Sequence, residues 1–170
     1  MDLEKIIRDV PDFPKAGIVF KDITTLLQDG DAFRQALNQM MKKYLDEKID
    51  KVLAVEARGF VFGGVLAYKL GCGFVPARKP GKLPYRTIGE EYILEYGSNA
   101  LEIHEDSIRP GERVLIVDDL LATGGTALAA AKLAEKLGGE VVGIEFLIEL
   151  SFLHGREKLS RYKVNSLITY

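Results

Sequence analysis

The segment VLIVDDLLATGGT, Val114 to Thr126, constrains the fold more than any other stretch of this chain. The apolar run Val114 to Val117 enters two adjacent carboxylates, and a threonine, two glycines and a second threonine then precede an alanine-rich stretch. A short unbroken apolar run suits a strand buried on both faces, and the alanine-rich residues from Thr126 to Leu137 suit a helix. The pattern repeats elsewhere. KVLAVEARGF reads as a buried strand leaving its end at Glu56, Gly59 to Leu70 as a helix packed behind it, CGFVPA as the next strand and EVVGIEFLIEL as another. Strands alternating with helices imply right-handed crossovers and a mainly parallel sheet with helices on both faces, an α/β architecture. Ligands of such sheets gather beyond the carboxyl ends of the strands, where both EARGF and DDLLATGGT begin.

The other segments carry weaker signals. DLEKIIRD is a short amphipathic helix candidate halted by Pro11 and Pro14, and a short strand is expected near Ile18 to Phe20. From Asp31 to Glu47 apolar residues recur at helical spacing, with Asp31 as the candidate N-cap. RKPGKLPYRTIGEEYILEYGS, rich in proline, glycine and charge, reads as a mobile loop entering a hairpin through EYILEY and ALEIH. The 170 residues suit one domain, and a formal charge of −2 gives no whole-molecule reason to expect a nucleic-acid or anionic-membrane partner. Cys72 is the sole cysteine and reads as a packed small hydrophobe; the two histidines lack metal-spaced partners. MDLEKIIRDV is too charged for a signal peptide and no apolar run approaches membrane-spanning length, so a soluble, cytoplasmic protein is expected.

The chemistry of the opening segment lies in its turn. Ala122, Thr123, Gly124, Gly125 and Thr126 sit where the strand gives way to the helix, and a helix N-terminus offers unpaired N–H groups and a positive dipole end. Glycines let the backbone approach an anion closely, and the threonine hydroxyls add donors. Asp118 and Asp119, expected to emerge at the strand end as the chain leaves the core, would repel phosphate but would accept hydrogen bonds from hydroxyls. A phosphorylated sugar meets both demands; a helix cap beside two solvated aspartates is the simpler alternative. A Walker lysine is lacking and no GxGxxG fits the turn, which weakens nucleoside-triphosphatase and dinucleotide readings.

These residues resemble the phosphoribosyl-pyrophosphate motif of the type I phosphoribosyltransferases, in the version found in adenine-specific members. DFPKAGIVFKDIT, EARGFVFG, RKPGKLPYRTIGEEYILEYGS and GREKL are similar to other blocks of that family in the same order, so the resemblance spans nearly the whole chain. It implies a type I phosphoribosyltransferase fold in a single domain over 1–170, with a small N-terminal hood over roughly 1–30 and a flexible active-site loop over roughly 79–97. It also implies a purine-salvage reaction joining adenine to 5-phosphoribosyl 1-pyrophosphate, with magnesium held mainly by the substrate, in a homodimer.

The resemblance assigns roles residue by residue. Asp118, Asp119 and the Ala122–Thr126 turn would hold the ribose hydroxyls and 5-phosphate. Ala57, Arg58, Arg78, Lys79 and Lys82 would hold pyrophosphate, with a strained non-proline peptide in that loop at the bond before Arg58; Ala57 stands where some members carry serine. Val19 and Lys21 would pair with adenine through their backbone, Phe20 would stack on the purine, and Leu120 would cover the other side. Glu95 would exchange the purine proton and Tyr96 would help close the loop, so Glu95, Arg58 and Tyr96 form the implied catalytic set. Two rival readings share the sugar-phosphate site: a transferase for hypoxanthine or xanthine, and a non-catalytic sensor of phosphoribosyl pyrophosphate.

Overall fold

The computed structural model describes residues 1–93 and 97–170, which divide into two compact units, Met1–Gln39 and Met40–Tyr170. In the first unit a 3-10 turn at Glu4–Ile6 leads to β1 (Arg8–Pro11), which pairs antiparallel with β2 (Val19–Asp22); α1 (Thr24–Gln28) and α2 (Gly30–Lys42) follow. The expected N-terminal helix is thus a single tight turn. Its continuation is extended because cross-strand partners claim it: Arg8 pairs with Asp22 at 2.5 Å and Lys21 with Asp9 at 2.7 Å. The expected strand near Ile18 begins at Val19 and runs on to Asp22. Asp29, not Asp31, caps α2, its Oδ1 accepting the N–H groups of Asp31 and Ala32 at 3.0 Å each. That helix stops at Lys42, short of the expected Glu47.

The second unit alternates β3 (Lys51–Val55), α3 (Arg58–Leu70) and β4 (Gly73–Ala77), then the hairpin β5 (Thr87–Ile93) and β6 (Ser98–His104). It ends with β7 (Arg113–Leu121), α4 (Gly125–Lys136), β8 (Glu140–Glu149), the single turn α5 (Gly155–Lys158) and β9 (Val164–Thr169). Five strands form one parallel sheet in the order β4–β3–β7–β8–β9. The hairpin starts at Thr87, so Thr87–Ile93 of the segment expected to be loop is strand. Edge strand β9, only partly buried, carried no periodic signal strong enough to be picked out beforehand.

Side-chain alternation along β3 builds the layers. Val52 and Ala54 face α3, where a Cβ added at Gly63 would lie 2.4 Å from the Ala54 Cβ. Leu53 and Val55 point the other way, into a core shared with Leu101 and Ile103 of β6 and Ala130 and Leu133 of α4. Each large apolar side chain fully buried there contributes about 1.5–3 kcal/mol. Connectivity then locates the crevice. From β3 the chain crosses through α3 outward to β4; from its neighbour β7 it crosses through α4 the opposite way to β8. Right-handed crossovers in opposite directions put the two helices on opposite faces and part the loops after β3 and β7, the switch point at which open parallel sheets bind ligands. Among the described residues no helix is long and apolar enough to cross a membrane.

Candidate active site

The two acids lie inside the sheet, not beyond it. β7 continues in register with β8 through Leu121 opposite Glu149, so Asp118 and Asp119 are strand residues, 8% and 6% exposed. The acids were expected to emerge at the strand's carboxyl end as the chain leaves the core; instead the strand runs past them to Leu121, and the alternative of solvated aspartates does not hold. The carboxylates are held differently. Asp118 Oδ1 accepts the Asp119 N–H at 2.8 Å, and burial, followed by the charge of Asp119, pushes the Asp118 carboxyl well above the usual range. Asp119 Oδ2 instead accepts from Arg58 Nε at 2.5 Å.

Arg58 comes from the neighbouring strand end. β3 stops at Val55, the Glu56–Ala57 peptide is cis, and Arg58 opens α3. The resemblance had put that unusual peptide one bond later, before Arg58; the helix already starts at Arg58, leaving the change of direction to the preceding bond. Gly59 is there because nothing larger fits: a Cβ would meet Asp118 Oδ1 at 2.8 Å and the Val117 carbonyl at 3.2 Å. Glycine at this position therefore lets α3 start directly against the acid pair.

Glu56 organises the basic segment. Its Oε1 accepts the Lys79 N–H at 2.6 Å and its Oε2 accepts from Arg78 Nη2 at 3.2 Å. Burial pushes this carboxyl up, but the Lys79 N–H and the Arg78 guanidinium outweigh it and hold it below the usual range. Arg78 also forms a backbone bridge with Glu102 of β6 and donates through Nη1 to the Lys82 carbonyl at 3.4 Å. Arg78 is thereby committed to structure, while Lys79 and Lys82 are exposed.

The turn after β7 is shaped by close backbone packing. Gly124 is left-handed at φ 82° and serves as the N-cap of α4, with no side chain capping that helix. A Cβ on Gly124 would lie 2.4 Å from the Gly155 carbonyl oxygen, and one on Gly155 would lie 2.2 Å from the Ala122 carbonyl oxygen. Thr123 is exposed, Thr126 is half-buried, and the first N–H groups of α4 have no partner within the helix.

One cavity of about 240 Å³ joins these parts, lined by Glu56, Arg58, Lys79, Asp118, Asp119, Leu120, Ala122 and Thr126 together with Val55, Tyr92 and Leu101. Cations thus sit at the β3 and β4 ends, acids in the middle and a helix N-terminus on the far side. This suits a ligand that carries anionic groups at two ends and hydroxyls between them.

The family model for the phosphoribosyl transferase domain matches residues 24–168. An adenine phosphoribosyltransferase of Alkaliphilus metalliredigens is 61% identical over 170 residues, and one of Thermotoga sp. is 59% identical; each alignment covers the whole of both chains. The crystal structure of adenine phosphoribosyltransferase from Thermoanaerobacter pseudethanolicus superposes with a TM-score of 0.96 at 56% identity, covering 99% of this chain and 98% of that one. The chain belongs to the adenine phosphoribosyltransferase family.

Among the adenine phosphoribosyltransferase residues expected from sequence, Arg58, Lys79, Asp118, Asp119, Leu120, Ala122 and Thr126 line the one cavity. Ala57, Arg78, Lys82, Thr123, Gly124 and Gly125 lie on the segments around it without lining it. Val19, Phe20 and Lys21 belong to β2 of the first unit, where Phe20 meets Phe13 edge-on at 5.2 Å and the Lys21 ammonium pairs with Asp9. Glu95 and Tyr96 lie outside the described residues. Sequence reading did not single out Glu56, Gly59, Tyr92 or Gly155. A carboxylate closing a buried strand was the available signal for Glu56; the glycines act through contacts with residues remote in sequence, which no local pattern reveals.

Proposed function

We propose that this chain transfers the 5-phosphoribosyl group of 5-phosphoribosyl 1-pyrophosphate to adenine, giving AMP and pyrophosphate in purine salvage. The observation that carries the site assignment is the shared cavity of Arg58, the buried Asp118–Asp119 pair, and Ala122 and Thr126 at the two ends of the turn. The turn takes the 5-phosphate on the α4 N-terminus, with Thr123, Gly124, Gly125 and Thr126 as donors. Asp118 and Asp119 accept from the ribose hydroxyls and set negative charge beside the sugar as it becomes oxocarbenium-like. Arg58, Lys79 and Lys82 face the departing pyrophosphate, with Ala57 contributing its backbone and Arg78 holding Glu56. The Arg58–Asp119 pair ties the two charge problems together, because the guanidinium that grips phosphate oxygens also orients the carboxylate under the sugar.

Val19 and Lys21 pair with adenine through main-chain groups, and Phe20 stacks on the ring. One carbonyl and one N–H complement the adenine N6 donor and N1 acceptor, a pattern that an oxopurine reverses at the cost of unpaired buried groups. Leu120 supplies an apolar contact to the base. Glu95 takes the purine proton as N9 attacks C1 and returns it in the reverse direction, and Tyr96 helps exclude water.

No group of three or more metal-ligating side chains occurs among the described residues, and one of the two adjacent carboxylates is already engaged by Arg58. Asp118 and Asp119 would hold ribose hydroxyls or magnesium-bound water, with the ion itself held mainly by the substrate. The ion would neutralise charge accumulating on the leaving group. A homodimer belongs to the same reading. Val61 and Tyr68, 40% and 81% exposed, lie on one stripe of α3 with Gly64 and Val65. An apolar stripe of this kind favours burial against another copy.

The test supplies magnesium and phosphoribosyl pyrophosphate with each free purine in turn and identifies the nucleotide formed. AMP from adenine is expected, with hypoxanthine, xanthine and guanine far poorer. Equal or better use of hypoxanthine would reject the adenine-reading assignment of β2.

A further inference from the structure

The turn read as the 5-phosphate site is packed on one side by a second element. Its second wall is α5, a single helical turn that the chain enters through His154 in a left-handed conformation, φ 54°. Gly155 at its start is buried, and its backbone touches Ala122 and Gly124 so closely that neither glycine has room for a Cβ. One helical turn cannot sustain itself in isolation, so something must hold Gly155 against the loop. Leu159, which closes the turn, is fully buried in the core, and Arg156 supplies the polar anchor. Arg156 donates through Nε to Glu149 Oε1 at 3.0 Å and through Nη2 to Glu149 Oε2, reaches the Val164 carbonyl through Nη1 at 2.7 Å, and meets Ser166 Oγ at 2.8 Å. Ser166 in turn donates to Glu149. Glu149 is 6% exposed at the end of β8, and Val164 and Ser166 belong to β9. Four hydrogen bonds from one guanidinium thus bolt α5 to two strands, and the Leu150 N–H to the Leu121 carbonyl, at 2.9 Å, ties that end of β8 to the end of β7 from which the turn departs.

We propose that Arg156 is a positioning residue for 5-phosphate binding: by anchoring α5 to β8 and β9 it sets the depth of Gly155 and hence the curvature of Ala122–Gly124. This rests on the reading of Ala122–Thr126 as the phosphate turn. Arg156 needs no contact with the substrate for this. Its loss should therefore be felt mainly at one end of the substrate, since Arg58 and Lys79, at the pyrophosphate end, are held by Asp119 and Glu56.

The experiment measures, on the full chain, the dissociation constants of ribose 5-phosphate and of magnesium pyrophosphate separately, together with the Michaelis constants for both substrates and the melting temperature. Arg156→Ala should weaken ribose 5-phosphate by about tenfold or more, the scale of a turn displaced by a fraction of an ångström. Magnesium pyrophosphate affinity and the Michaelis constant for adenine should stay within about twofold. Arg156→Lys, which keeps the charge opposite Glu149 but not the reach to Val164 and Ser166, should fall between, and Ser166→Ala supplies a milder probe if the alanine variant fails to fold. Equal weakening of both ligands, or a loss of stability in the variants with ribose 5-phosphate affinity unchanged, would overturn the proposal. Thr126→Val separates the two levels. If it weakens ribose 5-phosphate while the Arg156 variants do not, the phosphate turn stands and the positioning role falls. If Thr126→Val has no effect, the turn assignment itself fails and takes the role of Arg156 with it.

Discussion

Asp118 is the residue at which binding and stability pull apart. Burial and the adjacent Asp119 push its carboxyl well above the ordinary carboxylate range. The folded chain therefore holds this proton more tightly than the unfolded chain does. Stability falls as pH climbs from the unfolded value near 3.8 towards the folded one, and stays reduced above it. Asp118→Asn removes that slope and keeps an oxygen to accept the Asp119 N–H. At about pH 8 the variant should be more stable by about 1 kcal/mol, or roughly 2–4 °C in a chain of this size. Its affinity for phosphoribosyl pyrophosphate should drop at the same time. Calorimetry at acidic and alkaline pH checks the sign, and an unchanged or lower melting temperature at alkaline pH would contradict it. Glu95→Gln makes the opposite kind of prediction: turnover should fall by about 10²-fold or more with sugar-phosphate affinity nearly intact. Steady-state kinetics beside direct binding of phosphoribosyl pyrophosphate would separate the two, and unchanged turnover would remove Glu95 from proton transfer.

At the scale of elements, the placement of Arg58 depends on how closely α3 lies on the sheet. Gly63 faces Ala54 and Val52 of β3 and touches the ring edge of Phe74, with no space for a Cβ. Gly63→Ala should cost about 1–3 kcal/mol through overpacking and lift the helix off β3. Because Arg58 sits on the first residue of that helix, pyrophosphate affinity should decline along with the denaturant midpoint. Full stability in urea with unaltered pyrophosphate binding would show that the contact is looser than the geometry implies. The strands β3, β7 and β8 were legible because buried parallel strands carry unbroken apolar runs. β1, the start of the hairpin at Thr87 and β9 were not, since short or half-exposed strands take their identity from a partner far along the chain.

For the whole molecule, the stripe of Val61, Val65 and Tyr68 on α3 gives the association reading a handle. Sedimentation equilibrium should report twice the chain mass of 18.8 kDa, and Tyr68→Glu, at a position 81% exposed, should shift the equilibrium towards single chains without unfolding them. A monomer at all concentrations, or a dimer indifferent to that substitution, would remove the stripe from the interface.

Local sequence was enough to determine the α/β class, the acid pair and the glycine turn, because strand burial, helix capping and anion binding at a helix N-terminus act over a few neighbouring residues. Tertiary structure alone decided that Asp118 and Asp119 are buried strand residues with unlike partners, that Glu56 holds Arg78 and Lys79, and that Gly59 and Gly155 are places where backbone and acid approach with no room for a side chain. Those facts depend on contacts between segments tens of residues apart, and such distances are set only when the sheet closes.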